Sequence, residues 1–191
     1  MLIGRGQRAC PARRANHRWL VCALLALFMA LAPFGLAMPE AQAAEGVPTG
    51  SVTGLRLPRY VSLRFDKTNV REGPTKNHRT AWIFQRAGLP VEIIGEFDTW
   101  RRIRDSEGGE GWVLATLLSS RRTALVAPWR KAEVLPIYPK PGAPEVVAKL
   151  QSGVLANVKL CQASWCRVFG EGFEGFIKQG DLWGVYPDES F

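Results

Sequence analysis

One pattern in this chain is written twice, 65 residues apart. Gly88 recurs as Gly153, Trp100 as Trp165 and Ile103 as Val168, so Ala81–Arg104 lies over Val146–Phe169 without a gap. After one deletion, Gly111-Trp112-Val113 lies over Gly175-Phe176-Ile177. Upstream, Val70 matches Leu135 and Pro74 matches Pro139. The copies hold no helix-length amphipathic segment. Short alternating runs, such as Val61, Leu63 and Phe65 against Ser62 and Arg64, are broken at close intervals by Gly, Pro, Asn or Asp. That texture specifies strands, and two copies of it specify two small β units.

Residues 1–43 read as an export signal. Arg5, Arg8, Arg13, Arg14 and Arg18 form a basic start, Val21–Ala32 is unbroken apolar sequence, and Ala41-Gln42-Ala43 offers a cleavage site after Ala43. An uncleaved anchor is the alternative, because Trp19–Pro39 carries no charge. However, Pro33, Gly35 and Pro39 spoil its second half as a helix. The expected location is periplasmic or secreted. Membrane contact is expected only through this segment, if it is retained.

Cleavage also changes the charge. The whole chain has 25 − 17 = +8, whereas residues 44–191 have 20 − 16 = +4. Much of the support for a nucleic-acid partner goes with the signal, and none is expected. Residues 44–56 are small and polar and read as a disordered lead-in. Ala132–Ile137 reads as the counterpart of the Thr68 strand, and the four prolines from Pro136 to Pro144 predict a stiff extended loop in the second unit, not a ladder strand.

Cys161 and Cys166 are the cysteines left after cleavage. A hairpin loop over Gln162–Trp165 would set them opposite each other across an antiparallel pair, within disulfide reach. Export into an oxidising compartment favours the bridge. The 65-residue offset puts Glu96 and Arg101 in the same places in the first unit. Opposite charges also suit facing positions, and contribute under about 1 kcal/mol if exposed.

These residues resemble the bacterial SH3-like domain family of exported proteins. The resemblance is carried by Asn69-Val70-Arg71-Glu72-Gly73-Pro74, Gly88, Trp100-Arg101-Arg102-Ile103 and Gly111-Trp112-Val113. In the second copy it is carried by the cysteine hairpin around Trp165, Arg167-Val168 and Gly175-Phe176-Ile177. The second copy departs from the first motif, with Val134-Leu135-Pro136-Ile137-Tyr138-Pro139 in its place. The resemblance implies an all-β chain of two tandem SH3-like barrels, over residues 57–119 and 124–186. It also implies non-catalytic modules that bind cell-wall peptides, other proteins or their own neighbours. The signatures of eukaryotic SH3 domains for proline-rich ligands are missing.

Catalytic groups are scarce. His78 is the one histidine after the signal and sits in a polar loop beside Asn77 and Arg79. The cysteines are committed to each other, and no nucleophile motif, phosphate-cradling loop or metal constellation occurs. Neither an enzyme nor a cofactor is expected.

Binding must then fall to surface aromatics and cations. Alternation sets Trp100 and Trp165 on the face opposite Ile103 and Val168, part-exposed, where they serve as ligand contacts or as hairpin caps. Trp82 shares a face with Phe84, so one residue of that run must point outward. Arg102 and Arg104, with Arg101, Arg121 and Arg122, form the densest basic run, either a solvated face or a patch for anionic wall material. Tyr138, in the proline loop, and Phe173 read as exposed. The candidate site is therefore Trp100, Arg102, Arg104, Trp82, Trp165 and Tyr138. The expected partner is a cell-wall peptide or an envelope protein. The alternative is a scaffold whose units dock on each other or on a partner complex with no small ligand.

Overall fold

A computed structural model describes residues 47–191. The export signal expected over residues 1–43 lies outside the described residues. The first barrel comprises β1 (Arg59–Leu63), β2 (Thr68–Arg71), β3 (Thr80–Phe84), β4 (Pro90–Phe97), β5 (Trp100–Arg104), β6 (Glu110–Leu114) and β7 (Leu118–Ser119). A 3-10 turn at Ala115–Leu117 precedes β7. The second comprises β8 (Thr123–Val126), β9 (Val134–Ile137), β10 (Ala148–Gln151), β11 (Leu155–Gln162), β12 (Trp165–Gly170), β13 (Phe173–Lys178) and β14 (Leu182–Trp183). Its 3-10 turn is Gln179–Asp181.

The first barrel is a seven-stranded sheet in the order β3-β2-β6-β5-β4-β1-β7. The second divides into β13-β12-β11-β8-β14 and a separate pair, β10-β9. Each curls round its own core. Val70, Val91, Ile93, Ile103 and Val113 fill one, and Ile137, Val158, Val168, Ile177 and Leu182 are among those filling the other.

The repeat extends to backbone detail. Gly88 and Gly153 both take left-handed φ, +79° and +82°. The long hairpins β4-β5 and β11-β12 each carry a bulge, at Ile94 and at Lys159, 65 residues apart. A bulge bends its strand and raises the local twist, which lets a small sheet curl on itself. Gly111 and Gly175 mark where β6 and β13 are crossed. A side chain at Gly111 would strike Val70 and the Arg71 carbonyl, and one at Gly175 would strike the Tyr138 carbonyl and Val147.

The crossing corrects the upstream match. Arg71 pairs with Trp112, and Tyr138 bridges to Phe176. Val70 therefore corresponds to Ile137, two residues beyond the Leu135 suggested by the sequence. Pro136 is a second correction. It lies within strand β9 and faces Lys149 of β10. A two-stranded ribbon with one bridge on its other side tolerates the missing N–H.

The lead-in is the third correction over its described residues, 47–56, which form ordered structure. Thr49 bridges to Arg56, and Gly50 N–H donates to the Leu55 carbonyl (2.8 Å). This small hairpin straps over Glu96.

Candidate functional site: a cleft between the barrels

Short polar contacts hold the barrels together. Thr123 Oγ1 donates to the Gly88 carbonyl (2.7 Å), and Ser62 Oγ donates to the Arg121 carbonyl (2.9 Å). Tyr186, just past β14, donates its hydroxyl to Glu92 of β4 (2.8 Å) and lies against Tyr60 with ring centroids 4.6 Å apart. Burial, then the bond to Glu92, raises the Tyr186 hydroxyl pKa above its ordinary range; burial and the Glu92 charge do the same for Tyr60.

Two cavities open along this junction. The smaller, about 460 Å³, is a cleft walled by Trp82, Phe84 and Leu89 from the first barrel and by Leu125, Pro128 and Gly153 from the second. Its aromatic wall follows from the period of β3. Trp82 and Phe84 point inward, half-buried, in an edge-to-face pair (6.1 Å, 82°), and Ile83 points outward, 50 % exposed. Trp82 Nε1 is buried with no hydrogen-bond partner among the described residues. Arg86, Asp105 and Glu107 also line the cleft. Asp105 is occupied, accepting the backbone N–H of Glu107 (3.0 Å) and Gly109 (2.7 Å). Arg86 and Glu107 are exposed and make no salt bridge among the described residues. The cleft thus offers an apolar aromatic wall with one free cation and one free anion beside it.

The larger cavity, about 1100 Å³, runs between the strap and the C-terminal tail, past Leu55, Arg59, Tyr60, Arg122 and Tyr186. Two of its cations are already matched internally. Arg59 pairs with Glu96 (2.8 Å), and Arg122 pairs with Glu189 (2.8 Å) while lying 4.4 Å over the Phe191 ring.

The sequence-derived site residues fall in separate places. Trp82 lines the cleft. Trp165 and Tyr138 meet each other edge to face (5.7 Å) on the second barrel, and Tyr138 is half-buried where the sequence had it exposed. Phe173 is also half-buried, packed on the second core. Trp100 is 6 % exposed, against the expectation of a part-exposed contact. Arg102 and Arg104 line neither cavity, and both are drawn to Glu110 (2.8 and 3.1 Å), Arg104 also to Glu92 (3.3 Å). The basic run is therefore largely paired. Phe84, Leu89 and Leu125 were not named as site residues from the sequence. The W-x-F alternation could have pointed to Phe84, but nothing local points to Leu125.

Glu96 is the most enclosed ionised group described. Its carboxylate accepts from Thr53 Oγ1 (2.7 Å), Thr53 N–H (2.8 Å), Val52 N–H (3.1 Å) and Arg59 Nη2 (2.8 Å), with Arg101 Nε at 3.5 Å. Burial alone would raise its pKa. The hydrogen bonds from Thr53, Arg59 and Val52 win, and bring it from 4.5 to about 2.

A family model described as the bacterial SH3 domain matches the chain twice, over residues 66–120 and 124–184. The chain belongs to the bacterial SH3 domain family. Domains of this family are generally binding modules. No curated protein matches the chain. Among solved structures it is similar to NlpC2 and NlpC1 of Trichomonas vaginalis. Identities are 13% and 12%, over 66% and 70% of this chain and 48% of each of theirs, with a TM-score of 0.30 for both. The chain spans about half the length of these structures.

Proposed function

We propose that this bacterial SH3 protein is an exported, non-catalytic binding module that takes a cell-wall peptide or a short segment of an envelope protein in the cleft between its barrels. The observation that carries this reading is the cleft itself, an edge-to-face Trp82–Phe84 wall with a free guanidinium and a free carboxylate beside it. A peptide bearing both charges and an apolar middle complements such a site. The Cys161–Cys166 bridge supports an oxidising, extracytoplasmic location.

The test is retention on purified peptidoglycan at low salt, with Trp82→Ala alongside. Trp82-dependent retention supports the reading, and no retention of either protein sinks its cell-wall form. The scaffold alternative draws support from the hydrogen bonds already joining the barrels. Crosslinking in the envelope that captures a stable partner protein, together with no wall binding, would favour it.

A further inference from the structure

The occupant of the cleft has a second surface beside it. Strand β3 ends the seven-stranded sheet, with β2 on one side only. Beyond that ladder, β3 makes no backbone hydrogen bond among the described residues. An edge strand turns the N–H and C=O of alternate residues outward, and proteins usually blunt such an edge with charge, proline or a covering element. The opposite edge, β7, is two residues long. The comparable edge of the second barrel, β10, exposes Lys149 and Gln151. By contrast, β3 reads Thr-Ala-Trp-Ile-Phe, without a charge or a proline, and leaves Ile83 half exposed. Its inward residues, Trp82 and Phe84, are the same two that wall the cleft. A strand laid against β3 would place alternate side chains over the cleft and the others beside Ile83.

The flanking charges select the occupant. Both flanking arginines are exposed, but Arg79, before β3, is matched by Glu72 (2.6 Å), whereas Arg86, after it, has no salt bridge among the described residues. A second copy paired antiparallel about Trp82 would face each Arg86 with His78 and offer it no carboxylate among the facing residues. We propose that β3 is a β-augmentation edge. It adds an extended segment of another protein, apolar at alternate positions and acidic at the end that meets Arg86, as an eighth strand whose side chains enter the cleft. The proposal rests on the cleft reading above and specifies the backbone geometry of its occupant.

The probe is an eight-residue peptide of alternating Val and Thr with Glu at one end and Lys at the other, titrated against the whole protein by fluorescence anisotropy. Two analogues carry N-methyl groups on alternate amides, one along each edge. One analogue should bind at least about tenfold more weakly and the other like the parent, because only one edge faces β3. Amide exchange should slow at alternate residues of Thr80–Phe84 when the parent peptide is bound. Ile83→Lys, an exposed change that leaves the core alone, should weaken binding, and Arg86→Glu should do so by a salt-sensitive amount. If both analogues bind like the parent while Trp82→Ala abolishes binding, the strand geometry is overturned and the cleft reading stands. If the parent does not bind, the edge proposal fails, and peptidoglycan retention still judges the cleft separately. Sedimentation showing a dimer broken by Ile83→Lys would give the edge to a second copy and overturn the acidic-partner assignment.

Discussion

The two barrels close the same hairpin by different chemistry. In the second, Cys161 faces Cys166 and the chain turns through Ala163 and Ser164, both left-handed. In the first, Glu96 faces Arg101 across a turn at Asp98 and Thr99. A disulfide satisfies only its own two strands. A carboxylate has more acceptor sites than one arginine can fill, and Glu96 uses the remainder to bind the strap. The same position of the repeat also receives an end of the described chain in both copies. Glu96 holds Val52 and Thr53, while Cys161 exchanges backbone hydrogen bonds with Phe191 (3.3 Å each way). The end of this hairpin is thus a general docking point, and its chemistry decides how strongly and at what pH a neighbouring segment is held.

The largest effects should come where the barrels agree. Ile103 is fully buried in the first core and Ile177 nearly so in the second. Ile103→Ala and Ile177→Ala should each cost about 2–5 kcal/mol in urea unfolding. Because the junction is hydrogen-bonded, Ile103→Ala should also lower amide protection in β8 and β11. Protection lost in the first barrel alone would show that the copies unfold independently.

Next comes the contrast between the hairpins. Glu96→Gln should cost on the order of 3 kcal/mol at neutral pH, the free-energy equivalent of moving a carboxyl from 4.5 to about 2. The sign follows from that depressed value. The contribution is complete above about pH 5 and is lost as pH falls from 4.5 toward 2, so an acid titration should show the wild type converging on the variant. Parallel curves at all pH values would remove Glu96 from the account. Replacing both cysteines by serine should cost less, about 2 kcal/mol from the loop-closure term, with no such pH dependence. Tyr186→Phe, which removes one hydrogen bond to Glu92, should cost about 1 kcal/mol. Its effect should appear as faster exchange at the junction before any change in the midpoint.

The periodicities were legible in the sequence because each is local. The alternation in β3, the paired glycines and the facing cysteines depend on spacing alone. Other features depend on distant residues. Thr49–Arg56 reads as disorder until the Glu96 carboxylate accepts three hydrogen bonds from Val52 and Thr53, 44 and 43 residues before it. Trp100 was read as part-exposed, but strand parity carries no information about what packs over a side chain. The strand over Ala132–Ile137 was legible, but Pro136 was also read into a loop, because a proline does not show that its strand is half of a two-stranded ribbon. The cleft was hidden because Leu125 and Pro128 belong to the other copy.

Four residues of strap and strand, Val52, Thr53, Arg59 and Ser62, carry a practical warning. The family match begins at residue 66, after all of them. An expression fragment started there would lack β1, strand partner of both β4 and β7. It would also lose Val52, Thr53 and Arg59, leaving the Glu96 anion with Arg101 alone, and Ser62, cutting a tie to the linker at Arg121. Homology limits and autonomous folding limits diverge here by at least a dozen residues, and an insoluble truncation would report that divergence rather than any weakness of the fold.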